Sequence, residues 1–494
     1  ALSPSTSHTY TVSAYDAAGN ASAQTAGVSG VTQAAPVTPP LSGVFDSSEY
    51  RQNTYGPPTH YVDPARPLTM NGAGTLSDPW NLNQASTLAV AGNVVGFLPG
   101  VSVRLPSSNS RIPAFDVRAS GTSDNNRIVF VTKYAAVALP NVATNPNRTQ
   151  LRHDGVRAAA TGANETGTGS PIYGSYWRNY ITFDGFFVDM AEAQPKSDTG
   201  VIRVENAQGV HFRNFEIKGT NTNMQSNPIM YRPQDARDTV LSNFRAYDFF
   251  NDPANSSTPQ AALFSDQYGD QNVLMEHFEI RNTQRGIFFK GSAGTSLNYG
   301  TIRYGIVSDV SSCYQFNALD MTQLTTVEYN LCSDVSSGGG IVLSSETSPA
   351  RNILIHHNTV ARVDSTNSNT QGGIFSRANG FASNVTIRDN LIDINNNGSY
   401  GHGVAFGEIS TLPTTLNYNG YSKNGGSLTW AYNGVQQNSI AAWRAATNHD
   451  INGQVLSGDI FVNRTGGDFR VNTGHVAKAM SSTGGEIGAY ANGQ

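Results

Sequence analysis

An all-β solenoid is the fold class this sequence predicts, on three observations. First, segments beginning at Phe183, Phe212, Leu241, Met275, Ile302, Val327, Ile355 and Ile387 resemble one another and recur every 25 to 34 residues (FDGFFVDMA, FRNFEIKGT, LSNFRAYDF and so on to IRDNLIDIN). Second, the fourth position of each repeat reads Phe186, Phe215, Phe244, Phe278, Gly305, Asn330, Asn358 and Asn390. Stacked coils explain that column as a phenylalanine stack giving way to an asparagine ladder, in which each amide donates to the next carbonyl one strand spacing away. Third, only 14% of residues are charged and Gly numbers 49, a composition unlike that of helical proteins. A coil of this length is too thin to bury its own apolar face and must stack on its neighbours.

The elements follow in order. Residues 9–23, TYTVSAYDAAGNASA, alternate apolar and polar and then turn at Asp16 and Gly19–Asn20. They resemble the last strands of a fibronectin type III module, and residues 1–30 are assigned to that remnant. A Pro-rich extended linker is expected over 31–44. The solenoid occupies 45–410, and its end and cap occupy 411–494.

After each repeat comes a variable loop and a second short strand: GVIRVEN, PIMYRPQ, ALFSDQ, GIFFKG, CYQFNAL, GGIVLSS, GGIFSRA and HGVAFGE. Alternation points Ile287 and Phe289 inward and Phe288 and Lys290 outward. The same rule sends Arg203, Glu205, Arg232, Gln315, Asn317, Ser344 and Arg377 outward, and Asp266 joins them if ALFSD shares the register of IFFK. Lys290 therefore falls within an outward polar stripe, one of only six lysines in the chain.

The entry segment 60–102 carries a Val-Asp-Pro strand, a Gly-rich turn and a Pro-Trp-x-Leu helix start. Together with the closing segment 427–474, it resembles the right-handed parallel β-helix proteins of the pectate-lyase-like superfamily, polysaccharide lyase families six and nine among them. The resemblance covers roughly residues 45–494 and implies an acidic polysaccharide as substrate. It also implies β-elimination, in which a base removes the proton next to a uronate carboxylate whose charge is neutralised by Ca²⁺ or Arg. Lys290 is the expected base, completed by Arg232 and Arg377, with Arg203, Asn317, Tyr314, Phe288 and His402 expected to contact substrate. Asp248, Asp252, Asp266 and Asp270 are the expected calcium ligands, since Ca²⁺ takes clustered carboxylate oxygens. Arg303 follows Lys290 by 13 residues and belongs to a different sheet, a departure from family six.

Two rival readings stand beside the lyase. A glycoside hydrolase would pair Asp266 with Asp320, Glu346 or Glu205, and a non-catalytic adhesin or phage spike would only bind glycan. A net charge of -5 gives no basic footprint for nucleic acid, and no apolar run is long enough to span a membrane. The opening ALSPSTSHTY is expected of a mature or trimmed chain, secreted and monomeric. His356 and His357 are expected to pack within a strand. Cys313 and Cys332 fall in different columns and are expected to be buried thiols rather than a disulfide.

Overall fold

The computed structural model describes residues 7–10, 13, 21–31, 52–101, 115–132, 149–152, 172–176, 178–189, 200–218, 229–234, 236–249, 262–266, 271–290, 299–317, 323–344, 350–364, 372–377, 381, 383–395, 401–406, 411–425 and 427–491. Within them the chain winds as a right-handed parallel β-helix whose three faces are parallel sheets. At the N-terminus Ser7–Tyr10 pairs antiparallel with Val28–Val31. Val31, the first residue of the expected linker, closes that strand, and the turn expected at Asp16 to Asn20 and the rest of the linker lie outside the described residues.

The repeat register is the pairing register. Phe183, Phe212, Leu241, Met275, Ile302, Val327, Ile355 and Ile387 stand opposite one another down the first sheet. The chain then turns onto the second sheet through one residue in the left-handed region, at Asn214, Asn243, His277, Tyr304, Tyr329, His357, Asp389 and Tyr418. A single αL residue reverses the side-chain parity and bends the strand sharply, so the next side chain points inward. That next residue is the predicted column.

Phe215 stacks on Phe244 with ring centroids 4.8 Å apart, and Phe244 on Phe278 at 5.2 Å. The Phe278 ring then fills the space of the next rung, where a Cβ on Gly305 would lie 2.1 Å from its Cζ. Gly305 is therefore the junction between rings and amides. Beyond it, Asn330 Nδ2 donates to Asn358 Oδ1, Asn358 Nδ2 to Asn390 Oδ1 and Asn390 Nδ2 to Asn419 Oδ1, each at 3.0 Å. Each amide also donates to a carbonyl of the preceding coil, as Asn358 does to Val327 at 2.8 Å. The ladder ends on Asp450, which accepts from the Asn419 backbone amide at 3.3 Å and from the Tyr421 hydroxyl. A carboxylate suits the last rung because it has no N–H left to satisfy.

A second corner uses αL residues Asp248, Asn282, Asp309, Asp334 and Arg362 to pass from the second sheet to the third. Just past it, Gly286, Cys313, Gly340, Gly373 and Gly403 occupy one register position. Side chains of the second sheet fill the space there: a Cβ on Gly340 would meet Val360 at 2.2 Å, and one on Gly373 would meet Ile392 at 2.3 Å. Cys332 shares the column of Val307 and Val360. At one rung of this corner the glycine is a cysteine, and Cys313 is bonded to Cys332 with Cα atoms 5.8 Å apart. This corrects the expectation of two free thiols. A bridge does not require one shared column when a corner brings two columns together.

The ends are closed as the sequence pattern implies. Asn81 caps the helix Leu82–Leu88 in a reciprocal capping box with Gln84, and Trp80 stacks on His60 at 4.2 Å. At the other end lie the helix Ile440–Thr447 and the antiparallel hairpin Phe461–Asn463 with Asp468–Val471.

The ladder gives a stability prediction. Asn358→Ala strands the Val327 carbonyl and the Asn330 amide in a dry interior, so the unfolding free energy should fall by about 2–4 kcal/mol. Gly305→Ala should cost about 1–3 kcal/mol by overpacking against Phe278. Urea denaturation of both variants checks this, and an unchanged midpoint for Asn358→Ala would remove the ladder from the account.

Candidate active site on the outer face of the third sheet

The third sheet stacks Gly200–Glu205, Ile229–Gln234, Ala262–Asp266, Arg285–Lys290, the ends of Tyr299–Asn317 and Leu331–Ser344, then Gly372–Arg377, His402–Phe406 and Thr429–Tyr432. Its inward face carries Ile287, Tyr314, Ile341, Ile374 and Val404 in one column, and Phe289 stacks on Phe316 at 5.2 Å in the next. These residues belong to the main core.

Backbone register places the expected site residues on this sheet. Lys290 pairs with Asn317, Asn317 with Ser344 and Ser344 with Arg377, four successive rungs of one strand-end column. On the earlier coils Arg203 pairs with Arg232 and Glu205 with Gln234. Tyr231, Phe264 and Ile287 share a register position, so Arg232, one residue on, falls with Phe288. The expected column of Arg232, Lys290 and Arg377 is therefore two columns. Arg377 shares that of Lys290, and Arg232 lies two residues upstream.

Four expectations are corrected. Tyr314 is fully buried among core residues, and burial pushes its phenol well above the usual range, so it does not meet substrate. It has the parity of Ile287, which alternation itself assigns inward. His402 has that inward parity too. It is buried, its Nδ1 lies 2.9 Å from Thr429 Oγ1, and burial with the nearby Lys423 charge lowers its pKa to about 4. Phe288 faces outward but is covered, with the Arg285 guanidinium carbon 4.7 Å from its ring centroid. Asp266 pairs with Phe289, an inward position, and not with the column of Lys290.

The remaining acidic residues separate as well. Asp248 is an αL corner residue, and its Oδ1 accepts from Asn282 Nδ2 at 2.7 Å. Asp252 and Asp270 lie outside the described residues. Among the described residues no group of three or more His, Cys, Asp or Glu is arranged to hold a metal ion.

The outer face also changes character along the axis. Val342, Phe375, Ala405 and Ala431 continue the column of Phe288, yet they are buried and form an apolar cluster separate from the core. Gln315 stands between Phe288 and Val342 in that column, and the polar residues of the Lys290 register run beside it. Sequence reasoning missed this apolar continuation, although Val342 and Phe375 sit in outward register in GGIVLSS and GGIFSRA.

Elsewhere the polar residues bind one another. On the first sheet Arg303 Nη2 lies 2.8 Å from Glu276, and His356 Nε2 lies 3.0 Å from Glu328. Glu276, Arg303 and Glu328 occupy one column of alternating sign, which His356 continues. Arg303 is thus on the first sheet, as its spacing predicts. His356 and His357 are both buried within the repeat, with their Nδ1 atoms 2.8 Å apart. On the second sheet Arg245 pairs with Glu279 at 3.1 Å, and the Tyr247 hydroxyl donates to Glu216 at 2.6 Å.

No family model and no curated protein matches the chain. Similar solved structures include XylC in complex with xylose, at 10% identity and TM-score 0.42, covering 75% of this chain and 84% of that one. A rhamnogalacturonan lyase is similar at 12% identity and TM-score 0.40, covering 82% and 91%. An exopolygalacturonase from Thermotoga maritima is similar at 10% identity and TM-score 0.36, covering 80% and 95%.

The buried histidines set a pH dependence. Burial lowers His211 to about 3 and His357 and His402 to about 4, all from 6.5. Below pH 6.5 the unfolded chain takes up protons that the folded chain refuses, so this stability is present above pH 6.5 and is lost as pH falls towards 4. Asp450 opposes it: burial raises its pKa to about 6, so its contribution grows as pH falls below 6. His402→Gln should reduce the acid-side loss by on the order of 2–3 kcal/mol, read from urea midpoints between pH 7 and 4.5. An unchanged pH slope would return His402 to a solvent-facing role.

Proposed function

We propose that the chain is a polysaccharide lyase that cleaves a uronic-acid-containing glycan along the outer face of the third sheet. The observation that carries this is the column Lys290, Asn317, Ser344 and Arg377, with Arg203 and Arg232 on the preceding coils. Rungs stand about 4.8 Å apart in a parallel stack, so the column is a straight polar track along the solenoid axis. Among the described residues no other lysine lies on the third sheet. Lys218 and Lys423 are on the second and Lys478 is in the cap.

The chemistry divides among these residues. Elimination needs a base at the proton next to the uronate carboxylate and a cation at the carboxylate itself. Lys290 acts as the base in its neutral form, a state that neighbouring cations and desolvation favour in a lysine and never in an arginine. Arg377 and Arg232 take the substrate carboxylates, which guanidinium groups hold bidentately. Of the carboxylates a hydrolase would pair, Asp320 and Glu346 lie outside the described residues. The activity is extracellular on this reading, since the substrate is a polymer. The Cys313–Cys332 bridge supports that, because disulfides persist in oxidising compartments.

Lys290→Ala should leave the fold intact and lower turnover by about two orders of magnitude or more, followed as near-ultraviolet absorbance of the unsaturated uronate product. Lys290→Arg should rescue little. Reducing ends without that absorbance would make the enzyme a hydrolase, and neither signal would make the chain a binder. Neutralisation by arginine further predicts full activity after exhaustive chelation. A loss that added Ca²⁺ restores would assign the neutralising role to calcium, with Asp252 and Asp270 as its first candidate ligands.

A further inference from the structure

A cavity of about 460 Å³ opens between the last coils of the second sheet and the C-terminal hairpin, far along the axis from Lys290. Its construction is local and specific. Arg464, from the hairpin turn, reaches back to the sheet and places Nε 2.7 Å from Asp393 Oδ2 and Nη2 2.7 Å from Asn395 Oδ1. Asp393 is buried and also accepts from Ser422 Oγ at 2.7 Å. This network clamps the hairpin against the helix and leaves one wall without net charge. Opposite it, Asn472 Nδ2 donates to the Asp459 and Phe461 carbonyls at 2.6 and 2.9 Å, which fixes the Ser457–Asp459 segment as the second wall. Leu456, Ile460 and Phe461 are buried and make a firm apolar base.

The lining groups suit a polyhydroxylated ligand. Ser457, Asp459 and Asn424 are exposed at the cavity and offer hydroxyl, carboxylate and amide groups on fixed backbone. Planar amides and carboxylates bridge vicinal hydroxyls with two hydrogen bonds at once. Lys423 adds a single ammonium at the rim, held on the Ser427 carbonyl at 3.1 Å and lowered in pKa by burial. The volume falls within the range of about 300–1,000 Å³ typical of small-molecule sites.

We propose that this cavity is a non-catalytic saccharide-binding site that takes one or two sugar units of a glycan chain, with a uronate carboxylate, where present, towards Lys423. The proposal rests on the glycan-directed reading of the third sheet for its ligand class but not for its residues. Bound there, a polymer is tethered to the same molecule that carries the third-sheet groove, which raises its effective concentration at that groove.

The test separates the two sites. In a Lys290→Ala background, titration calorimetry with oligogalacturonate and with cello-oligosaccharide is compared before and after Asp459→Ala and Asn424→Ala. Both residues are exposed and carry no packing, so folding is not at stake. The expected result is binding of at least one probe that weakens tenfold or more in both cavity variants. With Lys290 restored, the cavity variants should turn over short soluble substrate at the parent rate. Binding unaffected by either substitution, or no binding of either probe, overturns the saccharide site. Loss of lyase activity alone bears only on the Lys290 reading, because the binding measurement is made without it.

Discussion

Asparagine can donate and accept through one short planar side chain, and the stacking of this solenoid depends on that property. Asn330, Asn358, Asn390 and Asn419 sit at the residue after the αL corner, where each coil turns between sheets. A buried corner exposes carbonyls that no ladder bond reaches, and water is excluded. The amides answer both needs at once, by satisfying the Ile302, Val327 and Ile355 carbonyls and by locking each coil to the next. A register slip of one residue would put Leu331, Thr359, Leu391 and Gly420 in those slots, and leave several buried groups unpaired. The corner therefore fixes the register, and the register fixes which residues face outward on the third sheet.

The same reasoning explains how the molecule changes along its axis. The earlier coils solve the corner with stacked rings, which pack well but satisfy no polar group. There the αL residues themselves help, as Asn243 and Asn214 pass a hydrogen bond to Asp184. Gly305 is the joint between the two solutions. The Cys313–Cys332 bridge lies on the adjoining coils, at a corner where Gly286, Gly340, Gly373 and Gly403 each pack against a second-sheet side chain.

Much of this was legible in the sequence because stacking makes sequence repeat. Identical residues in one column must touch, so the Phe and Asn columns could be read without coordinates, and they were found in place. Arg303 was correctly set apart from Lys290 for the same reason. The disulfide was not legible by that rule, since it joins two different columns across a corner, and only the recurrence of Gly286, Gly340, Gly373 and Gly403 hints at it. Tyr314 and His402 were misjudged because polar residue type was given more weight than parity; both occupy inward positions. Asp266 depended on a register that loop lengths alone do not determine. Of the four aspartates, Asp248 makes a corner and Asp266 stands in register with Phe289, placements set by the backbone rather than by residue type.

The account's central claim is that glycan runs along the third sheet, over the column shared by Lys290 and Arg377. A crystal structure of the Lys290→Ala variant soaked with an acidic oligosaccharide tests it most directly. The chain should lie parallel to the solenoid axis, with carboxylates on Arg232 or Arg377 and the reacting carbon facing position 290. A chain lying against the first or second sheet, with the Lys290 column bare, would contradict it.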